Sequence, residues 1–510
     1  MPLRETISSD ESGLLVAVQT NPKAVPNDVG TIWRIKEPNS YGSFGIQTNL
    51  VARSPINASR QNLKGTIVGF DATAEYEEDI TPTNLAEDLQ GFLFAEARYK
   101  DRLTATAITA DGFTVVSGGG NYEAGDLVYA EGAALMANNG LRVVGAGSDA
   151  DTVAVSGLTA ATGQAITLYR VGRQFAADDL TIDASGPLPR LASASVDMTT
   201  LGLSVGEFVF LGGDGAAERF AGATNRGWCR IAAIDTESLT FDKTDYTMTT
   251  DAGAGKTVRL FFGFVVKNEQ ADFIKTYNYC LRRRLGRKDS ASNVVQSEVV
   301  IGAVCNEMTI TVPEEDKLTV NYTYMARDWE PVADDNTIAG VTVEPVGDDA
   351  YNSTGDAVRA RMAVYPALSN NAAPTPLFAV LSELEFTINN NVSSNKGVTR
   401  MGSFSMTPGK FEVTGSFTAY FNDIEAVNTV KQNKDVTFDI AEYRNNKGFV
   451  IDFPLCALST EGVELEANEP MMISIDSNMA TGKKYNANMD HTMLVCFFPY
   501  LPTLAGDTVE

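Results

Sequence analysis

Histidine is almost missing from this chain of 510 residues: the one copy is His491, in "NMDHTMLVCFF". A Ser-His-Asp or Cys-His nucleophile would have to use it, and a metal site built on imidazoles would lack its second ligand. Cysteine is scarce too. Cys229, Cys280, Cys305, Cys456 and Cys496 are scattered, odd in number and without a C-x-x-C pair. That excludes a disulfide framework or zinc ribbon and predicts reduced core thiols, made in a cytoplasm. Bases are outnumbered, 40 against 65 acids for a net charge of −25. Nucleic-acid binding needs a basic footprint, so specific DNA binding is not expected. No apolar run approaches the roughly 18 residues of a membrane span. The opening "MPLRETISSDESGLL" places acids where a secretory signal has a basic patch. A soluble protein without membrane contact is expected.

The usual chemical signatures are missing as well. There is no GxSxG elbow, HExxH or dinucleotide-binding glycine pattern. "DAGAGKT" (Asp251 to Thr257) ends like a phosphate loop, but Thr250 stands where the first glycine belongs. The alternating "VRLFFGFVV" follows it instead of a helix whose N-terminus could bind phosphate, so it reads as a turn. "EYEED" and "VPEED" match no calcium loop and read as solvated turns. His491, beside Asp490, is expected to make a structural hydrogen bond. No catalytic residue, cofactor or metal is expected.

What the sequence does have is strands. "KFEVTGSFTAYFND" (Lys410 to Asp423) alternates throughout: Phe411, Val413, Gly415, Phe417, Ala419 and Phe421 on one face, polar residues on the other. A period of two is that of a half-buried strand, here the thirteen residues from Lys410 to Asn422 or about 43 Å. "NEMTITV" and "KLTVNYTYM" alternate on either side of "PEED" and predict a hairpin. One helix is convincing. Leu85, Leu89, Phe92 and Leu93 recur at helical spacing behind Thr83 and Asn84 as candidate N-caps. The polar stretch from Pro331 to Ala379 reads as a long loop with an interaction role.

The middle of the chain repeats itself. "GDLVYAEG", "NNGLRVVGA", "DTVAVSG" and "AITLYRVG" are matched in the same order by "GEFVFLGG", "NRGWCRIAA", "ESLTFDK" and "TVRLFFGF". This predicts a duplicated small β-domain, copy 1 over residues 104–176 and copy 2 over 177–268, inserted between segments 1–103 and 269–510. An insert with its own core is expected to fold separately. "CLRRRLGRKD" is the one basic cluster. Arg282, Arg283, Arg284, Arg287 and Lys288 are read as a contact to a neighbouring subunit, since like-charged subunits need attractive pairs where they meet.

Three stretches carry a resemblance. "IGAVCNEMTITVPEEDKLTVNYTYMARDW", "LEFTINNNVSSNKGVTRMGSFSMTPGKFEVTGSFTAYFND" and "SRQNLKGTIVGFDATAEYEEDITPTNLAEDLQGFL" are similar to major tail tube proteins of long-tailed (siphovirus-like) bacteriophages. The resemblance implies an all-β chain: a β-sandwich or barrel with one short helix, the duplicated domains lying outside the tube. It further implies hexameric rings of identical subunits stacked into the tail tube of the virion, other tail proteins at its ends, and DNA passing through without specific binding. In such a tube Glu412, Thr414, Ser416 and Thr418 face the lumen while the aromatic face packs in the core. A cell-surface or adhesive multi-β-domain protein is the alternative, and a polysaccharide-cleaving tail component ranks third.

Overall fold

The computed structural model describes residues 12–53, 56, 63–270, 273–287, 294–366, 372–377, 381–421, 424–464 and 470–503. The protein is all-β, 52% strand and 7% helix. Backbone packing divides it into two units, one of Met1–Ala95, Ala271–Thr354 and Ser382–Phe417, the other of Glu96–Gln270, Gly355–Leu381 and Thr418–Glu510.

The first unit begins with β1 (Gly13–Gln19), β2 (Ile32–Lys36), β3 (Pro38–Arg53), β4 (Leu63–Asp79) and α1 (Asn84–Phe92). Its spine is the 18-residue strand Val295–Val312. Gly302 interrupts the spine with φ +64°, where an added Cβ would lie 2.5 Å from the Pro22 carbonyl. Before that break the spine pairs with Asn278–Arg287 and Asp328–Val332. After it, the partners are Thr319–Ala326, opposite Met308↔Tyr322, and Leu381–Asn389, opposite Ile310↔Phe386. The hairpin around "PEED" is therefore present. β1 pairs with Asn278–Arg287 and β2, and β4 pairs with Thr319–Ala326 and β3.

Leu15, Ala17, Trp33, Cys280, Val299 and Ile301 form one core of this unit. α1 seals another with Leu85, Leu89 and Phe92, the Phe92 ring lying 5.3 Å from both Tyr322 and Tyr324. Each such side chain contributes about 1.5–3 kcal/mol on burial. The helix entry differs from expectation. Thr81 and Asn84 hold each other, the Thr81 amide donating to Asn84 Oδ1 (2.9 Å) and the Asn84 amide to Thr81 Oγ1 (3.2 Å). The Thr83 hydroxyl turns away and donates to Asp348 (2.5 Å).

In the second unit the repeated blocks fall on strands in matching order. Asp126–Glu131 pairs with Gly140–Val143 and Ala161–Gln174; Phe208–Leu211 pairs with Gly227–Asp235 and Arg259–Phe261. The turn glycines match in conformation too: Gly125 and Gly206 have φ of +94° and +92°, Gly140 and Gly227 of +101° and +102°. These left-handed values favour glycine, so the matched letters mark the same turns. One core lies within residues 105–168 and includes Phe113, Val128 and Leu168; another lies within 175–262 and includes Leu191, Ile231 and Phe241. A third core joins Leu127, Val171, Phe208, Trp228 and Phe261 to Ala441, Val450, Leu494, Cys496 and Phe498. Residues of the repeats thus share a core with strands Val436–Arg444, Lys447–Glu464 and Leu494–Phe498.

A buried ion network lies among the same strands. Arg230, fully buried, donates to both oxygens of Asp242 (2.9 and 2.7 Å) and to Asp452 (3.1 Å). Lys243 Nζ bridges Asp439 (2.8 Å) and Asp452 (2.9 Å), and Arg359 pairs with Asp439 and Asp245. Burial alone would raise the Asp439 carboxyl; Arg359 and Lys243 outweigh it and hold the group well below the usual carboxylate range.

Three local expectations are corrected. A second helix, α2 (Glu425–Lys431), is present in addition to the one expected; its Ile424 N-cap makes no side-chain cap bond. The alternating strand runs Glu412–Tyr420, nine residues rather than thirteen. The stretch after Pro331 is not one loop but carries strands Val341–Val343, Ala357–Val364 and Thr375–Pro376.

Candidate assembly surfaces

Three surfaces follow from these strands. The first is the two-faced strand Glu412–Tyr420. Val413, Gly415, Phe417 and Ala419 are buried, while Glu412, Thr414 and Ser416 are exposed and Thr418 is half-buried. Lys410 pairs with Glu412 at 2.9 Å on the open face. The alternation read from the sequence is present, and the polar face is small, hydroxyl-rich and nearly uncharged.

The second surface is one the sequence did not single out. β3 and β4 pair from Pro38↔Glu78 to Arg53↔Leu63, whereas Thr319–Ala326 covers β4 only from Ala72 to Asp79. At Gly69–Asp71 the segment is still covered, the Phe70 amide donating to the Met401 carbonyl (3.0 Å) and Asp71 pairing with Lys396 (2.6 Å). The outer part, Leu50–Arg53 with Leu63–Val68, is a two-stranded arm of about 13 Å. Leu50, Val51, Ile67 and Val68 on it are exposed. Neighbouring residues of a strand point to opposite faces, so the arm is apolar on both. An isolated two-stranded ribbon is marginal in water, and an open apolar edge invites pairing.

The third is the basic run, on strand Asn278–Arg287. Arg282 is buried, packs over the Trp33 ring (5.3 Å) and pairs with Asp335, whose carbonyl also accepts from it at 2.7 Å. Arg284 reaches the same carboxylate at 2.8 Å. Burial would raise Asp335, but these arginines hold it below its usual range. Arg283 pairs with Glu298 (2.6 Å) and lies 4.4 Å over the Phe44 ring. The structure thus gathers Arg282, Arg283 and Arg284 onto carboxylates of their own chain. Arg287 ends the strand, and Lys288 lies outside the described residues. Asp335 sits in the polar stretch read as a loop, so sequence distance hid the pairing.

His491 is buried and neither ring nitrogen has a hydrogen-bond partner among the described residues, contrary to the structural bond expected of it. Burial pushes its pKa down to about 4, so the ring is neutral. Asp490 pairs instead with Lys267 (3.0 Å). "DAGAGKT" is a turn, with the Gly253 amide on Asp251 and the Gly255 amide on Asp178. All five cysteines are free and buried. "EYEED" is not a solvated turn but the end of β4, which buries Tyr76 and Glu78. Glu78 lies 3.7 Å from Lys36, itself 2.5 Å from Asp88. Burial, opposed by Lys36 and aided by Asp88, pushes the Glu78 carboxyl up to about 8. Among the described residues no His/Cys/Asp/Glu group could hold a metal ion, and no helix is long and apolar enough to cross a membrane.

A search among curated proteins returned no match. A family model described as phage tail tube protein matches residues 9–479, nearly the whole chain and through both units. Family membership makes this a structural protein of the virion tail. With a two-faced strand and a bare apolar arm, and matched by that model over residues 9–479, the chain belongs to the phage tail tube protein family.

Proposed function

We propose that copies of this chain close into hexameric rings that stack into the tail tube and leave a channel for the genome. The β3–β4 arm carries this reading: exposed apolar side chains on both faces of a free ribbon need a covering surface, and self-association supplies one. Glu412, Thr414, Ser416 and Thr418 line the channel. Their hydroxyls offer phosphates no array of Lys and Arg, and a chain of net charge −25 adds none of the counterion release that drives nonspecific DNA binding. DNA therefore slides instead of sticking. The basic run belongs to a subunit contact, with Arg282 to Arg284 set in place by Asp335 and Glu298 and the Arg287–Lys288 end completing it. Other tail proteins close the tube ends, and the chain is made in the host cytoplasm. Negative-stain microscopy of the purified protein tests the proposal: rings or tubes are expected, and dispersed monomers at high concentration overturn it.

A further inference from the structure

Three titratable side chains that the assembly surfaces do not use meet inside the first unit. Lys36 ends β2, Glu78 lies on β4 and Asp88 on α1. They are 7%, 3% and 9% exposed. Lys36 Nζ stands 2.5 Å from Asp88 Oδ2 and 3.7 Å from Glu78 Oε1. Tyr76 and Tyr322, fully buried with rings 5.1 Å apart, border the site; burial, Asp88 and Glu78 together push both phenols up, so they stay neutral. One cation therefore faces two carboxyl groups. Burial, against Lys36 and with Asp88, holds Glu78 at about 8, so it rests as the neutral acid. Its Oε1 has no hydrogen-bond partner among the described residues. A buried ion pair is no more stable for such a neighbour. An oxygen left without a donor costs free energy, and an apolar side chain would fill the place at least as well.

We infer that Lys36 and Asp88 become covalently joined, the Lys36 amine and the Asp88 carboxyl condensing to an amide with Glu78 as the proton carrier. Burial would lower the Lys36 ammonium, but Asp88 and Glu78 outweigh it and keep the amine charged at rest. The reacting state is the minor one in which the Lys36 proton has passed to Asp88, leaving an amine against a carboxylic acid. Exclusion of water favours that neutral pair over its share in solution. The Nζ lone pair forms the bond to Asp88 Cγ, while Glu78 protonates the carbonyl oxygen and takes a proton from Nζ. Glu78 then protonates one of the two hydroxyls on Cγ, that C–O bond breaks and water leaves. The proton of the remaining hydroxyl returns to Glu78, which ends as it began; nothing is oxidised or reduced. Strand and helix hold amine and acid in contact, supplying the effective concentration that condensation in water lacks. A cavity of 440 Å³ lined by Lys36, Glu78 and Glu87 gives the released water a way out. The event occurs once per chain, so a minor reacting population suffices. β3 and β4 lie between the linked residues, and the bond would hold the base of that hairpin shut.

The mass of the full chain tests the link, whether or not tubes form. Folded protein is purified, denatured, weighed intact by mass spectrometry and mapped with trypsin. A mass one water below that of the linear chain is expected, with no cleavage after Lys36 and a branched peptide joining Lys36 to Asp88. Asp88→Ala should restore the full mass and the cleavage. Asp88→Asn should still close, releasing ammonia in place of water, which an ion pair alone cannot do. Glu78→Gln should slow closure by about a hundredfold or more when it is followed from the start of refolding. The unaltered protein decides the matter even if a variant fails to fold. Full mass with free cleavage after Lys36 leaves an ion pair only and overturns the inference, as does a link from Lys36 to Glu78 or a water loss mapped to other residues.

Discussion

Asp452 is the most exacting place to perturb the buried ion network. Its carboxylate is fully buried and accepts from Arg230 at 3.1 Å and Lys243 at 2.9 Å. Asp452→Ala deletes both contacts at once. Removing one partner of a buried pair costs about 3–5 kcal/mol, because the remaining charge keeps its desolvation penalty. Here each cation retains another carboxylate, Arg230 keeping Asp242 and Lys243 keeping Asp439. The expected loss is therefore at the lower end, about 3 kcal/mol. For a unit of this size that is a fall of roughly 6 °C in the transition assigned to it by calorimetry. Glu131→Ala, which breaks only the partly exposed pair with Lys447 in the same unit, should move that transition by less than about 2 °C. Adding Lys243→Met to Asp452→Leu should recover at least half the loss, since both members of one contact then leave together. A shift below about 2 °C for Asp452→Ala would refute the reasoning, as would a double variant worse than the single.

Three further outcomes are expected. Phe417→Asp, at a fully buried site, should abolish folding or assembly, while Thr418→Ala on the open face should cost under about 1 kcal/mol; the reverse order by calorimetry would contradict the face assignment. His491 has a folded pKa lowered to about 4, so the unfolded chain binds more protons as pH falls from about 6.5 to 4. Stability contributed by the neutral ring is present above that window and lost through it, by about 3 kcal/mol at pH 4. His491→Met should flatten the drop in melting temperature between pH 7 and 4, and an unchanged slope would count against it. Deleting residues 104–267 removes half of the third core and both cations that meet Asp452. The shortened chain should be insoluble or lack the second unit's transition; a soluble variant that keeps it disproves the shared core.

Period-two patterns were legible because burial imposes them directly. Val413, Phe417 and Ala419 alternate with hydroxyls, and Met308, Ile310 and Tyr322 mark the hairpin beforehand. The turns inside the matched blocks were legible because they need glycine in a left-handed conformation. Glu78 was misread as solvated, although a signal was there: Ala72, Ala74, Tyr76, Glu78 and Ile80 share one buried face. Strand phase outranked charge at that residue. Arg230 meets Asp452 across 222 residues of sequence, and no local pattern reports such a pairing. The arm escaped notice for the opposite reason, because Leu50 and Ile67 look like ordinary core residues until the fold leaves them bare.

The third core has a consequence for the timing of synthesis. Phe208, Trp228 and Phe261 leave the ribosome long before Leu494, Cys496 and Phe498 exist to cover them. At roughly 5–20 residues per second, that interval is about 10–50 s. Local hairpins close in microseconds, so the repeats acquire their private cores early and then wait with an apolar flank uncovered. Chaperone occupancy should be greatest in that interval, and ribosome release of the last strands, rather than hairpin formation, sets when a subunit becomes competent to assemble.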